Sequence, residues 1–187
     1  MARNVEIKAQ VSGLDAIRAR AASLALNPAE ILQQTDTFFV VSRGRLKVRE
    51  FSDGTGELIS YERPDDRDPK ESVYERYPCR NARALVQTLG KALPVRGTVV
   101  KRREVFLVGR TRIHLDQVQS LGAFVELEVV LSDGEPAEHG KHVARDLFRK
   151  LDIPKTGLLA QAYIDLLEAS IVEQAAASDA PRLPRYG

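Results

Sequence analysis

Residues 99–108, 112–118 and 124–131 place apolar side chains at every second position almost without error, with turns at Gly109 and Gly122 between them. A period of two belongs to strands that face an apolar environment on one side and a polar one on the other. These segments therefore read as three sequential antiparallel strands. The polar parity constrains the fold further. An ordinary half-buried sheet mixes Thr, Ser and Gln with Lys and Glu on its wet face, whereas here formal charge dominates. Lys101 and Arg103 lie on the first strand, Arg112, His114 and Asp116 on the second, and Glu126 and Glu128 on the third.

The same rhythm recurs upstream. Asn4, Glu6, Lys8 and Gln10 alternate with Val5, Ile7, Ala9 and Val11, which predicts a strand over 4–11. Leu14, Ile17, Ala21 and Leu24 then follow at helical spacing. They predict a helix over 14–26, with Ser12 and Asp15 as its capping pair and Pro28 just past its end. From Glu30 the period returns to two through Asp36, Phe38 and Val40. A turn at 42–44 leads to a strand in which Arg45, Lys47 and Arg49 share one face. A turn at 53–56 precedes a strand over 58–63, the proline-bracketed charged stretch 64–71 reads as a surface loop, and 72–77 as a short strand. Asn81 is placed to cap a helix over 82–93, Pro136 opens another that runs to Leu151, and Leu158 to Leu167 carry a last amphipathic helix. The expected organisation is one domain over 1–170 and a flexible Ala-, Pro- and Arg-rich tail over 171–187. Many strands with four helices, in largely sequential order, favour an α+β fold: an antiparallel sheet or β-barrel flanked by helices.

Alternation alone leaves two arrangements open. The charges are solvated on the open face of a sheet and cross-paired between strands, or the strands close and the charged face becomes a lumen. A dry charged lumen is untenable, because each unpaired buried charge costs several kcal/mol. It must be wet or filled by a charged ligand. Seven Lys and Arg side chains facing an acidic group match a polyanion, such as a triphosphate, that arrives with a divalent cation. Arginine binds phosphate oxygens in bidentate fashion, and carboxylates supply the hard oxygen ligands that Mg2+ or Mn2+ takes.

Composition excludes several classes. With 187 residues, 43% hydrophobic and 29% charged, the chain can build a sizeable core. Its 28 Lys and Arg balance 26 Asp and Glu, so no basic surplus marks a nucleic-acid surface. No apolar run approaches the roughly 18–20 residues of a membrane span, and the start lacks the apolar stretch of a signal peptide, so a cytoplasmic location is expected. Cys79 is alone, which excludes an internal disulfide and a multi-cysteine zinc site.

The order of the charged patches resembles the CYTH superfamily, the triphosphate tunnel metalloenzymes, which include class IV adenylate cyclases, thiamine triphosphatases and inorganic triphosphatases. The family's Glu-x-Glu-x-Lys signature corresponds to Asn4-Val5-Glu6-Ile7-Lys8, followed in family order by RLKVRE at 45–50, KRREVFLV at 101–108, TRIHLDQV at 111–118 and FVELEVVL at 124–131. The resemblance covers about residues 3–168. It implies an eight-stranded antiparallel barrel open as a tunnel, with a triphosphate lying across it and Mg2+ or Mn2+ as cofactor. By resemblance, Glu6 is a catalytic or metal-coordinating carboxylate and Lys8 a phosphate contact or electrostatic activator. Arg45, Lys47, Arg49, Lys101, Arg103 and Arg112 are triphosphate ligands, and Glu126 and Glu128 the late acidic metal site, with Asp116 in support. Two departures stand out: Asn4 replaces the first signature carboxylate, and Arg63 is the residue whose parity lets it substitute for the strand-four lysine. The implied activity is that of a class IV adenylate cyclase, with a triphosphatase, or a nucleotide- or polyphosphate-binding module without turnover, as the alternatives. The implied partner is a small-molecule triphosphate rather than nucleic acid or membrane, and a homodimer is compatible with the resemblance.

Smaller features weigh less. His139 and His142 form a His-x-x-His pair without a third ligand and read as surface residues. His114 lies between Arg112 and Asp116 on the charged face, where a structural role outweighs acid–base work. Cys79 reads as a bystander and Tyr163 as core. The 64–71 loop is a candidate lid.

Overall fold

The computed structural model describes residues 2–178. Its strands are β1 (Ala2–Val11), β2 (Glu30–Phe39), β3 (Arg45–Phe51), β4 (Gly56–Glu62), β5 (Lys70–Cys79), β6 (Val95–Val108), β7 (Thr111–Val118), β8 (Gly122–Val130) and the two-residue β9 (Leu158–Leu159). The helices are α1 (Asp15–Leu24), α2 (Ala82–Gly90), α3 (Ala137–Lys150) and α4 (Tyr163–Ser178). Strands β5-β4-β3-β2-β6-β7-β8-β1 pair in that order, all antiparallel, and β5 pairs with β1 to close an eight-stranded barrel. Closure removes the sheet edges and turns one face of every strand inward. The charged parity is the inner one.

The apolar parity points outward and is covered by the helices. Val5, Ile7, Ile113, Leu115, Leu127 and Val129 pack with Ile17 and Ala21 of α1 and with Ala144, Leu147 and Phe148 of α3. A Cβ on Gly140 would lie 2.7 Å from Val5 Cγ2, so α3 can sit this close to β1 only with glycine there. A smaller cluster joins Val48 and Phe39 to α2 through Ala82, Leu85, Val86 and Leu89. Asn81 caps α2 as expected, its side-chain oxygen accepting from the Ala84 amide at 2.9 Å. The third cluster plugs one barrel end: Phe38, Val99, Val118 and Phe124, from strand ends that meet there, pack on Ala162, Tyr163 and Ile164 at the start of α4.

Several local expectations change. No side chain caps α1; Leu14 occupies the cap position, and Asp15 instead accepts from Arg18. The loop after β4 is shorter, because Lys70 and Glu71 pair with Glu6 and Val5 and so begin β5. The last helix starts at Tyr163 and not at Leu158. Beyond Glu6, β5 no longer follows β1, and its exposed edge is taken by Leu158 and Leu159, which pair with Ala9 and Lys8. Backbone groups left open by one strand are satisfied by the next available segment. The turn before β9 includes Gly157, where a Cβ would lie 2.1 Å from the Gln10 carbonyl oxygen. Helix α4 continues to Ser178, so residues 171–178 of the expected tail are helical, and 179–187 lie outside the described residues. No helix among the described residues is long and apolar enough to cross a membrane.

Candidate active site

The lumen holds a cavity of about 370 Å3 whose walls carry the charged parity. Its basic wall is organised around Asp36 of β2, which is 1% exposed. Across the β2–β3 ladder Asp36 faces Arg49, whose Nε and Nη2 donate to it at 2.8 and 2.9 Å. Lys47 and Lys101 donate to Asp36 Oδ2 at 2.9 and 2.8 Å. Burial opposes the ionised carboxylate, but Arg49, Lys101 and Lys47 outweigh it and hold the carboxyl well below its usual range. One anion against three cations leaves the cluster with a net positive charge. Burial therefore lowers Lys47 and brings Lys101 down to about 7, with Asp36 pulling the other way. Sequence reasoning does not single out Asp36, although it shares a parity with Gln34 and Phe38 on a strand beside the basic one.

The acidic wall comes from β7 and β8. Ladder pairing sets His114 against Glu126 and Arg112 against Glu128, so both carboxylates arrive on one side of the lumen. Lys8 approaches Glu126 at 3.4 Å, Arg103 donates to Glu126 at 2.8 Å, and Arg112 donates to Glu128 at 2.8 Å. Burial works against both carboxylates. Lys8, His114 and Arg103 hold Glu126 well below its usual range, and His114 and Arg112 lower Glu128. His114 Nδ1 lies 3.6 Å from Glu126 and 3.8 Å from Glu128, beyond hydrogen-bond distance, and is buried without a hydrogen-bond partner among the described residues. The structural role expected of His114 therefore leaves its Nδ1 unsatisfied. One ligand atom from each of His114, Glu126 and Glu128 lies within 4.8 Å of the others. Two carboxylates and an unpartnered imidazole nitrogen fit a divalent cation.

The two other expected metal ligands are each engaged by an arginine. Asp116 is fully buried, and its oxygens accept from Arg103 at 2.7 and 2.6 Å and from the Tyr163 hydroxyl at 2.8 Å, so it orients Arg103 instead of joining the acidic group. Glu6 accepts from Arg63, and burial together with Glu126 raises its carboxyl above the usual range. Arg63 thus enters the lumen as its parity implied, with its side chain 3% exposed. Arg45 is not among the residues lining this cavity; at the start of β3 it donates to the Asp65 carboxylate at 2.8 and 2.9 Å. Tyr163 is core and site at once. Its ring packs edge-on against Phe124 at 4.9 Å while Lys8 Nζ stands 4.1 Å over its face. Lys70, hidden from sequence reasoning by its assignment to a loop, is buried next to Glu6 in the ladder and donates to the backbone carbonyls of Asp66 and Ala160. Burial and Arg63 lower it to about 8.

Asn4 lines the cavity, and its Oδ1 is buried with no hydrogen-bond partner among the described residues, as is Gln34 Oε1. The position of the missing signature carboxylate therefore still offers an oxygen to the lumen. His139 is largely exposed beside Glu135, and His142 is exposed, as expected of surface residues. Cys79 is half-buried at the end of β5, packed on the α2 cluster.

A family model described as the CYTH domain matches residues 2–163. The adenylate cyclase CyaB of Aeromonas hydrophila is 25% identical over 176 residues, covering 89% of this chain and 90% of that protein. Among solved structures, the PH1012 protein of Pyrococcus horikoshii OT3 superposes with a TM-score of 0.78 at 24% identity, over 87% of this chain and 98% of that one. A Hippeastrum protein, put forward as an adenylyl cyclase and described as revealing a dominant triphosphatase activity, has a TM-score of 0.60 at 15% identity, over 91% of this chain and 96% of that one. The solved structures share the fold, and the family model spans all eight barrel strands and the first residue of α4. The chain belongs to the CYTH domain family.

Proposed function

We propose that this chain is a metal-dependent enzyme that takes a triphosphate into its barrel and acts as a class IV adenylate cyclase, converting ATP to cyclic AMP and pyrophosphate. The observation that carries the reading is the division of one cavity into a basic wall around Asp36 and an acidic wall of Glu126, Glu128 and His114. A triphosphate needs both: cations for its oxygens, and a place for the divalent ion that accompanies it. His114, Glu126 and Glu128 would hold Mg2+ or Mn2+, which when bound neutralises charge on the phosphates. Arg49, Lys47 and Lys101 bind the chain of phosphates and hold it in line. Arg103, fixed by Asp116, extends the same wall along β6, and Lys8, seated on Tyr163, approaches from β1.

In the cyclase reaction the ribose 3′-oxygen forms a bond to the α-phosphorus, the bond from that phosphorus to the bridging oxygen of the β-phosphate breaks, and pyrophosphate leaves. Glu6 takes the hydroxyl proton. Its raised carboxyl is a stronger base than an ordinary glutamate, and Arg63 keeps it in place. The same walls suit a triphosphatase, in which water attacks the terminal phosphorus. The Aeromonas relative supports the cyclase reading and the Hippeastrum neighbour the other.

The test is incubation with Mg2+ or Mn2+ and, separately, ATP, tripolyphosphate and thiamine triphosphate, resolving all products. Cyclic AMP with pyrophosphate is the expected result. Orthophosphate release instead would replace the cyclase by a triphosphatase, and binding without product would make the chain a polyanion-binding module.

A further inference from the structure

The lumen is not charged throughout. At the end remote from α4, where β2 begins and β3 ends, Leu32, Phe51 and Val105 line the cavity. All three are half-buried, and none belongs to the three apolar clusters that hold the helices to the barrel. They occupy the parity that elsewhere carries charge. The ladders make them neighbours: Leu32 pairs with Arg103, Val105 lies two residues beyond Arg103 and pairs with Glu30, and Phe51 pairs with Gln34, which itself pairs with Lys101. The apolar patch is thus continuous with the inner cationic cluster. At its rim the Glu30 carboxylate has no ion-pair or hydrogen-bond partner among the described residues.

An inorganic polyphosphate would gain nothing from three apolar side chains beside an unpaired carboxylate, and the carboxylate would repel it. A ligand with phosphates at one end and a flat organic group with N–H donors at the other would use every part. Resting on the triphosphate reading above, we propose that Leu32, Phe51 and Val105 form a subsite for the base of a nucleoside triphosphate. Its phosphates lie on the Arg49–Lys101–Arg103 side, and Glu30 accepts from the N–H groups of the base. The apolar side chains cover the base faces, and that contact discriminates a nucleotide from tripolyphosphate.

Calorimetric titration with α,β-methylene-ATP and with tripolyphosphate, each with Mg2+, tests this on the wild type and on Phe51→Ala and Leu32→Ala. Each substitution is expected to weaken the nucleotide analogue about tenfold, equivalent to about 1.4 kcal/mol, and to leave tripolyphosphate within about twofold. Unchanged tripolyphosphate affinity also reports an intact fold. If both ligands bind but the two substitutions weaken them alike or not at all, the base subsite is refuted and the triphosphate reading survives. If neither ligand binds the wild type, both fall.

Discussion

Replacing Asp36 by Asn removes one negative charge from the centre of three buried cations while keeping the shape of the side chain. Asp36 is 1% exposed and receives Lys47, Arg49 and Lys101 within 2.9 Å. Breaking a buried ion pair by deleting one partner costs about 3–5 kcal/mol, because the remaining charge is left uncompensated. Here part of that cost can be relieved. Burial already brings Lys101 down to about 7. Without the carboxylate it falls further, so it can shed its proton. The loss should therefore lie near the lower end above neutral pH and near the upper end below it. In the variant the native state binds fewer protons than the unfolded chain, so stability rises with pH. For a chain of this length 3–5 kcal/mol corresponds to a Tm lower by roughly 6–20 °C. Urea unfolding at about pH 6 and about pH 9, with and without tripolyphosphate, measures both effects. The ligand brings back the missing negative charge, so its stabilisation of Asp36→Asn should exceed that of the wild type, which at a hundredfold excess over Kd is about 2.7 kcal/mol. A loss under about 1 kcal/mol, or equal stabilisation of the two proteins by tripolyphosphate, would refute the electrostatic account of the basic wall.

Other outcomes follow from the same contacts. Tyr163→Phe keeps the ring beneath Lys8 but leaves Asp116 without its third donor, at about 1–3 kcal/mol. Tyr163→Leu also loses the cation–π contact, for a further ~0.5–2 kcal/mol, and equal losses in urea unfolding would remove that contact from the account. Lys101 is shifted down from 10.5 to about 7, so its charge, and with it part of the tripolyphosphate affinity, is lost as pH rises through about 7. The ratio of wild-type to Lys101→Met affinity, taken by calorimetry from about pH 6 to about pH 9, should fall steadily, and a flat ratio contradicts the shift. The same group makes stability rise between about 7 and 10.5, because over that window the unfolded chain holds the proton and the folded one does not. Gly157→Ala puts a methyl 2.1 Å from the Gln10 carbonyl oxygen, so the β9 ladder must move off β1. The expected cost is about 1–3 kcal/mol, with faster amide exchange at Leu158 and Leu159, and wild-type exchange there would show that the turn adapts.

The parity of each strand was legible along the chain, because successive side chains on a strand point to opposite faces whatever the strand packs against. That is why Glu6, Lys8, Lys47, Arg49, Arg103, Arg112, Glu126 and Glu128 all line the lumen. Parity could not say how far along the barrel a residue sits or what faces it. Arg45 shares its face with Lys47 and Arg49 but lies at the strand end, where Asp65 holds it off the cavity wall. Asp116 shares its face with His114, yet its ladder partner across β6 is Arg103, which captures it. Asp36 became the centre of the basic wall because β2 runs between β3 and β6, a neighbourhood joining segments that are far apart in sequence.

The amino-acid sequence by itself determined which side chains share a face, where the turns fall and in what order the charged patches come, since each depends on residues a few positions apart. The tertiary structure decided the rest. Pairing β5 with β1 converted a charged face into an enclosed lumen, and the arrival of α4 closed one end and brought Tyr163 under Lys8. Distances across a barrel depend on closure and stagger, which no local pattern encodes. Only there do Glu126, Glu128 and His114 meet opposite the cations of Asp36.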